Sequence, residues 1–259
     1  MFATGTKMKD LEIIATDSKN ISEYQFCGYK DSKNEGHNRK SKWLKKRFSE
    51  GLKFKILHSK EFGDIGMIEY VPGDNTWRPI EAKDYMVIHC IMTSGKHKGR
   101  GHGKLLLKDC IKDAKKNGFK GVAVATSSGS FMANGNLFLA NGFKLVDTKD
   151  CYDLLVKKFK ASSQSPKFTK PNEKFLKKYN KGLVIFSSDQ CPMVPKWTKE
   201  IAEVSRELGF KPKIVTLNQS NNSRSLGTAY GMFCILLDGK ILVDRPVSAR
   251  RFSNILQKL

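Results

Sequence analysis

Met86-Val87-Ile88-His89-Cys90-Ile91-Met92 passes through Thr93 and Lys96 into Lys98-Gly99-Arg100-Gly101-His102-Gly103-Lys104, and this passage decides the fold. The first seven residues read as a mostly buried strand. Beyond the glycines, Leu106, Cys110, Ile111 and Ala114 recur at helical spacing until Asn117-Gly118 ends the helix. Strand, glycine loop and helix in that order predict an anion site. Gly99, Gly101 and Gly103 remove the side chains that would keep a pyrophosphate from backbone N–H groups. The helix start, expected near Lys104, adds its positive dipole end, and Lys96, Lys98, Arg100 and Lys104 add full charges. Two other phosphate loops do not fit: Leu105 follows Gly103-Lys104 where a nucleotide P-loop needs a hydroxyl, and the spacing is GxGxG where a dinucleotide fingerprint has GxGxxG.

Working outward, Lys53-Phe54-Lys55-Ile56-Leu57 and Ile65-Gly66-Met67-Ile68-Glu69-Tyr70 read as two hairpin strands. A strand is expected over Gly121 to Thr126, a short helix from Asn136 to Ala140 ending at Asn141-Gly142, and a strand from Phe143 to Val146. The class is α/β (α+β), a mixed sheet flanked by helices, followed by a smaller domain. The Ser- and Pro-containing stretch from Lys160 to Lys174 marks the boundary. We therefore expect a domain over 1–160, a linker over 161–175 and a domain over 176–259.

In the second domain we expect strands over Leu183 to Phe186, Lys213 to Leu217, Met232 to Leu237 and Ile241 to Val243. A helix carries Trp197, Ile201, Val204 and Leu208 on one face. Residues near 218–231 read as a polar loop, and Ser248 caps a last helix bearing Phe252, Ile255 and Leu259.

The net charge of +22 is the one compositional extreme and raises nucleic acid as a partner. Both halves are basic, however, and the densest run, Arg39 to Arg47, reads as a solvated surface, so that partner is not favoured. The start of the chain lacks the apolar core of a secretion signal, and no stretch is long enough to span a bilayer, which predicts a cytoplasmic protein without a membrane partner. The six cysteines contain no CxxC pair and no metal-ligand spacing with the histidines, so reduced thiols and no metal are expected.

The loop Lys98-Gly99-Arg100-Gly101-His102-Gly103 resembles the [Q/R]xxGxG/A motif of the GNAT acetyltransferases, with Lys98 as the departure from Gln or Arg. Asn136-Leu137-Phe138-Leu139-Ala140-Asn141-Gly142-Phe143 is similar to that family's helix ending in NGF. The resemblance covers about residues 50 to 160. It implies acetyl-CoA as cofactor, held by Lys98, Gly99, Arg100, Gly101, His102, Gly103, Lys104 and Asn136, with backbone N–H groups of Ile91, Met92 and Thr93 meeting the thioester. It also implies a small-molecule or peptide amine as acceptor.

By the same resemblance His89 falls where several members carry a glutamate base, and Glu69 on a neighbouring strand is the rival carboxylate. The thiolate-protonating tyrosine of the family falls at Phe138, which has no proton to give. Ser130, Tyr152 or water is the substitute. Trp77 and Arg78, in a Pro/Gly turn, and Phe131 are expected on the acceptor side.

The βαβ then ββα order of the second domain, with Cys191-Pro192-Met193-Val194 before its first helix, resembles thioredoxin, although Val194 replaces the resolving cysteine. The helix start is expected to stabilise a Cys191 thiolate. The combination resembles the YoaP-type acetyltransferases. Two other functions attach to particular features: a thiol-dependent binding or redox module centred on Cys191, and a basic RNA- or ribosome-associated protein.

Overall fold

The computed structural model describes residues 10–29, 33–129 and 132–259. Its first half runs β1 (Leu11–Ala15), α1 (Glu35–Arg47), β2 (Lys53–Ser59), β3 (Gly63–Pro72), β4 (Ile80–Glu81), β5 (Tyr85–Thr93), α2 (His102–Lys116), β6 (Gly121–Ser127), α3 (Asn136–Leu139), β7 (Lys144–Lys149) and β8 (Tyr152–Lys158). The second half runs β9 (Lys167–Phe168), α4 (Glu173–Leu176), β10 (Leu183–Ser187), α5 (Val194–Glu207), β11 (Lys213–Thr216), α6 (Ser220–Ser225), β12 (Phe233–Leu237), β13 (Lys240–Val243) and α7 (Ala249–Leu256). The class is the expected one, a mixed α/β protein whose main sheet is flanked by helices.

The main sheet has seven strands in the order β1-β2-β3-β5-β6-β8-β7, and a second has four in the order β11-β10-β12-β13. All neighbours in the first are antiparallel except β5 and β6. That parallel pair is joined through α2, as a crossover helix requires. The alternation of β3 sends Ile68 and Tyr70 to the α2 side, where they pack with Leu106, Cys110 and Ala114. Met67 and Val71 face the other way, against Trp43, Leu44, Phe186 and Leu236. The first sheet and the second half thus share one apolar layer.

The basic run Arg39 to Arg47 is a solvated surface only in part. It lies in α1, capped by the Asn34 side chain, which accepts from the N–H groups of Gly36 and His37; such a cap contributes about 1 kcal/mol. The helix buries Gly36, His37, Lys40, Ser41, Trp43 and Leu44, points Lys42, Lys45 and Lys46 to water, and holds Arg39 and Arg47 half-buried against Asp189 and Glu50. Gly36 is a point of close approach to the second half: a Cβ there would lie 2.0 Å from the carbonyl oxygen of Pro192.

Other boundaries shift for physical reasons. Helix α2 begins at His102, two residues before the expected start, because Gly101 adopts the left-handed conformation (φ 82°) that ends the loop. In α5 the buried stripe is Val194, Thr198, Ile201, Ala202 and Ser205, one position round from the expected face. The hydroxyls of Thr198 and Ser205 donate to the carbonyls of Val194 and Ile201, so those polar residues enter the core satisfied. The polar stretch after β11 forms α6, and Leu259 lies exposed beyond α7. The two residues of β9 pair with β4, tying the segment between the two halves to the first.

Candidate active site

In the glycine loop Gly99 (φ 76°) and Gly101 (φ 82°) are both left-handed, and a Cβ at either would point into open space. Their conformation turns the chain so that no N–H from Gly99 to Lys104 finds an acceptor among the described residues. Six consecutive unpaired donors at a helix start form an anion-binding concavity. Lys96, Lys98, Arg100 and Lys104 are exposed, and none has a carboxylate partner among the described residues. The buried rings of His97 and His102 lie under the loop, 6.1 Å apart, with Phe62 on the far side of His97. Burial and the neighbouring cations hold both imidazoles below their ordinary pKa. Leu137 of α3 reaches the loop, its side chain 3.3 Å from where a Gly103 Cβ would stand, which sets the exposed Asn136 nearby.

Strand β5 leads into this loop and carries an irregularity. Glu69 opposes Cys90 and Tyr70 opposes Ile88, leaving His89 as the extra residue of a bulge. The parallel pairing of β5 with β6 runs only from Tyr85↔Gly121 to Ile88↔Val124. Beyond it the strands part. A cavity of about 380 Å³ opens there, walled by residues 88–92 of β5, Val124 and Ala125 of β6, and Met132 and Ala133. The second half roofs it with Gln190, Cys191, Met193, Tyr230 and Met232, and Lys98 stands at the loop end. Its size suits a small ligand.

Beside the cavity is a sealed charge network. Glu69 is 0% exposed and Lys40 2%. The Lys40 ammonium donates to Glu69 Oε2 at 2.6 Å and to the carbonyl of Gln190 at 2.5 Å. Gln190 Nε2 donates to Glu69 Oε1 at 2.8 Å, and His89 Nδ1 lies 3.0 Å from the same oxygen. Burial alone would raise the Glu69 carboxyl, but Lys40 and His89 outweigh it and hold the group down at about 2. Burial likewise works against the Lys40 charge, and Glu69 more than offsets it, keeping the amine well above its ordinary range. Burial lowers His89, which is therefore neutral. Its Nε2 accepts the N–H of Trp77 at 3.1 Å and meets the Thr76 hydroxyl at 3.1 Å, so its proton sits on Nδ1, facing Glu69.

Among the residues expected from sequence, His89, Arg78, Ile91, Met92, Lys98 and Cys191 meet in this cavity. Glu69 stands behind the wall, reaching it through Gln190 and Lys40. Thr93 ends β5, one residue past the cavity wall. The Trp77 side chain does not line the cavity; it is fully buried against Trp43, ring centroids 5.2 Å apart. Tyr152 is buried away from the cavity, beneath Arg245. Ser130 and Phe131 lie outside the described residues. Lys40, Gln190 and Tyr230 join the site without a signal in the sequence. No local pattern marks them, since each reaches the site through a contact between distant segments.

The cavity also gathers three thiols. Interaction between the Cys27 and Cys90 thiols raises Cys27 and, with help from Lys40 and Arg78, holds Cys90 below the ordinary thiol value. At Cys191, burial pushes the thiol up and outweighs the N–H groups of Met193 and Val194 that favour a thiolate. The pull expected of the helix start is present but loses. None of the six cysteines is in a disulfide. No group of three or more His, Cys, Asp or Glu side chains among the described residues is arranged to hold a metal ion.

A model of the acetyltransferase (GNAT) family matches residues 22–143. The chain is 30% identical over 245 residues to the uncharacterized N-acetyltransferase YoaP of Bacillus subtilis (strain 168), a match spanning 93% of this chain and 96% of that one. Among solved structures it is similar to the PaiA N-acetyltransferase of Thermoplasma acidophilum, crystallised with coenzyme A, at 15% identity and a TM-score of 0.42, over 57% of this chain and 99% of that one. The GNAT N-acetyltransferase YhbS of Escherichia coli, also in complex with CoA, gives 11% identity and a TM-score of 0.42 over 61% and 89%. Because the YoaP likeness runs along nearly the whole sequence, the chain belongs to the GNAT family of N-acetyltransferases and is an enzyme of that class.

Proposed function

We propose that this enzyme passes the acetyl group of acetyl-CoA to a primary amine by direct attack, with both substrates meeting in the cavity where β5 and β6 part. The observation that carries this reading is the run of unpaired N–H groups from Gly99 to Lys104, ringed by unpaired cations and adjoining that cavity. It fits a pyrophosphate: the two left-handed glycines keep the approach clear, and the donors and charges match an anion with many acceptors. When bound, acetyl-CoA supplies an acetyl thioester. Lys98, Gly99, Arg100, Gly101, His102, Gly103 and Lys104 hold its pyrophosphate, with Asn136 beside them. The backbone of Ile91, Met92 and Thr93 faces the arm and the carbonyl.

An attacking amine must be neutral. His89 has both nitrogens engaged, and Glu69, held at about 2, is a weak base. The cavity supplies another route: Arg78, a cation in its wall with no carboxylate partner among the described residues, disfavours an ammonium ion. The proton leaves through water, and the weakly basic sulfur departs without a dedicated acid.

On this reading residues 1–160 form the acetyltransferase domain, 161–175 a linker and 176–259 a thioredoxin-like domain. The order β11-β10-β12-β13, with only β10 and β11 parallel, supports the last assignment. Its role here is a roof over the acceptor. With Val194 in place of a resolving cysteine and Cys191 protonated, dithiol exchange is not its chemistry. A cytoplasmic location accords with the absence, among the described residues, of any helix long and apolar enough to cross a membrane.

Calorimetric titration with acetyl-CoA tests the reading. The wild-type chain is expected to bind it, and Gly101→Glu, which strains a left-handed position and puts a negative charge among the N–H groups, to abolish binding. Binding that is absent in the wild type, or unchanged in Gly101→Glu, overturns the proposal.

A further inference from the structure

Three residues of the cavity wall each carry a buried polar atom with no hydrogen-bond partner among the described residues: Arg78 Nε, Gln190 Oε1 and the Tyr230 hydroxyl. Their residues are 3%, 2% and 1% exposed. Orphaned buried polar atoms are uncommon, and each costs stability unless a ligand or water completes it. Three on one cavity describe what is missing from it.

The chemistry of each atom fixes what it can take. Arg78 is a buried cation with no carboxylate partner among the described residues. Its two terminal nitrogens donate to backbone carbonyls, of Tyr230 at 2.6 Å and of His89 at 2.7 Å. A guanidinium left unpaired away from water calls for an anion, and its unused N–H groups, the Nε–H among them, can only donate. Gln190 is the opposite case. Its Nε2 faces the ionised Glu69 and must be the donor there, which leaves Oε1 as a pure acceptor, made more electron-rich by the carboxylate behind it. Tyr230, whose ring lies 5.5 Å from the Arg78 guanidinium carbon, offers a hydroxyl that can bond to either kind of group. Apart from Lys40, which is paired with Glu69, and Lys98 at the loop end, the rest of the wall is uncharged and rich in sulfur, with Cys90, Cys191, Met92, Met132, Met193 and Met232.

We infer that the acetyl acceptor is a small amino acid, with its carboxylate on Arg78 and the Tyr230 hydroxyl, its amine on Gln190 Oε1, and an uncharged side chain against the thiols and thioethers. The inference rests on the acetyltransferase reading above and names its acceptor. In the transfer the amine nitrogen forms a C–N bond to the acetyl carbonyl carbon as the C–S bond of the thioester breaks. The amine proton is lost, and the sulfur leaves as coenzyme A thiol. A polyamine has no group for Arg78 and brings extra positive charge to a wall that already holds Lys40 and Arg78.

The full-length protein is offered acetyl-CoA with a pool of L-amino acids, the matching amino-acid amides, the matching decarboxylated amines and spermidine, and N-acetyl products are read by mass spectrometry. At least one free amino acid with an uncharged side chain is expected to react, with kcat/KM about 10- to 100-fold above its amide and its decarboxylated amine, the range for losing a charge-assisted bond. Arg78→Gln is expected to remove that preference while its affinity for acetyl-CoA stays within about twofold of wild type. Tyr230→Phe, a milder change, is expected to lower the preference without erasing it. Amides, amines or spermidine reacting as well as the acids overturn the inference, as does a protein that binds acetyl-CoA and acetylates no free amino acid. A protein that fails to bind acetyl-CoA overturns the acetyltransferase reading itself, a separate result. The comparison of acid with amide uses the wild-type chain alone, so it stands even where the Arg78 variant does not fold.

Discussion

Lys40 of α1 and Glu69 of β3, 29 positions apart in sequence, form an ion pair of 2.6 Å with both side chains sealed from water. The pair also holds the two halves together, because Lys40 donates to the Gln190 carbonyl and Glu69 accepts from the Gln190 amide. Removing one partner leaves an uncompensated buried charge, so Lys40→Met is expected to lower unfolding free energy by about 3–5 kcal/mol. Adding Glu69→Gln to that variant removes the stranded charge and is expected to restore part of the loss. Urea unfolding of the two single variants and the double variant checks this, and purely additive losses would contradict it.

The same pair sets the acid response. Glu69 is held at about 2 in the folded chain, against an ordinary value of 4.5. A depressed folded value means the unfolded chain binds the proton first, so the contribution is complete above about 4.5 and is lost as pH falls towards 2. Lys40 has the opposite sense: its raised value adds stability that persists through neutral pH and is lost only in strong alkali. Urea midpoints measured from pH 6 downward should fall through that window in the wild type and fall less in Glu69→Gln.

Catalysis should follow the acceptor's own ionisation. With an acceptor in hand, kcat/KM is expected to rise with pH through the acceptor amine's own pKa. His89→Gln is expected to reduce stability and kcat/KM without moving that midpoint, since both ring nitrogens are already engaged. A midpoint that belongs to the enzyme and vanishes in His89→Gln would make His89 the base.

Thiol reactivity separates roof from machinery. Cys151 is exposed, Cys90 is half-buried and held low by Cys27, and burial pushes Cys191 up. Iodoacetamide followed by peptide mass spectrometry at pH 8 is expected to modify Cys151 first, then Cys90, with Cys191 and Cys27 slower. Cys191 reacting fastest would favour a thiol-centred role for the second half.

The strand, loop and helix around Lys98 were legible because their signals are local: glycines at alternate positions, then apolar residues at helical spacing. The hairpin of β2 and β3 was legible for the same reason. Lys40 was not, because a single buried lysine in a run of solvated cations carries no mark of its burial; the mark lies in Glu69 and in the close approach at Gly36. Gln190 and Tyr230 reach the cavity by folding of the second half onto the first, and no spacing within either segment records that. Trp77 is expected on the acceptor side by its place in the turn, yet its ring packs on Trp43 and its backbone N–H donates to His89 Nε2. Its neighbour Arg78 is the one that faces the cavity.

Direct transfer within a cavity that also holds Cys27, Cys90 and Cys191 is the claim most exposed to test. The full-length protein is mixed with acetyl-CoA alone, then with the amine pool, while intact protein mass and free coenzyme A are followed together. Protein mass is expected to stay unchanged with no coenzyme A release until the amines are added, and release to be matched by acetylated amine thereafter. An acetyl thioester that builds on a cysteine before the amines arrive, and is discharged by them, would contradict it.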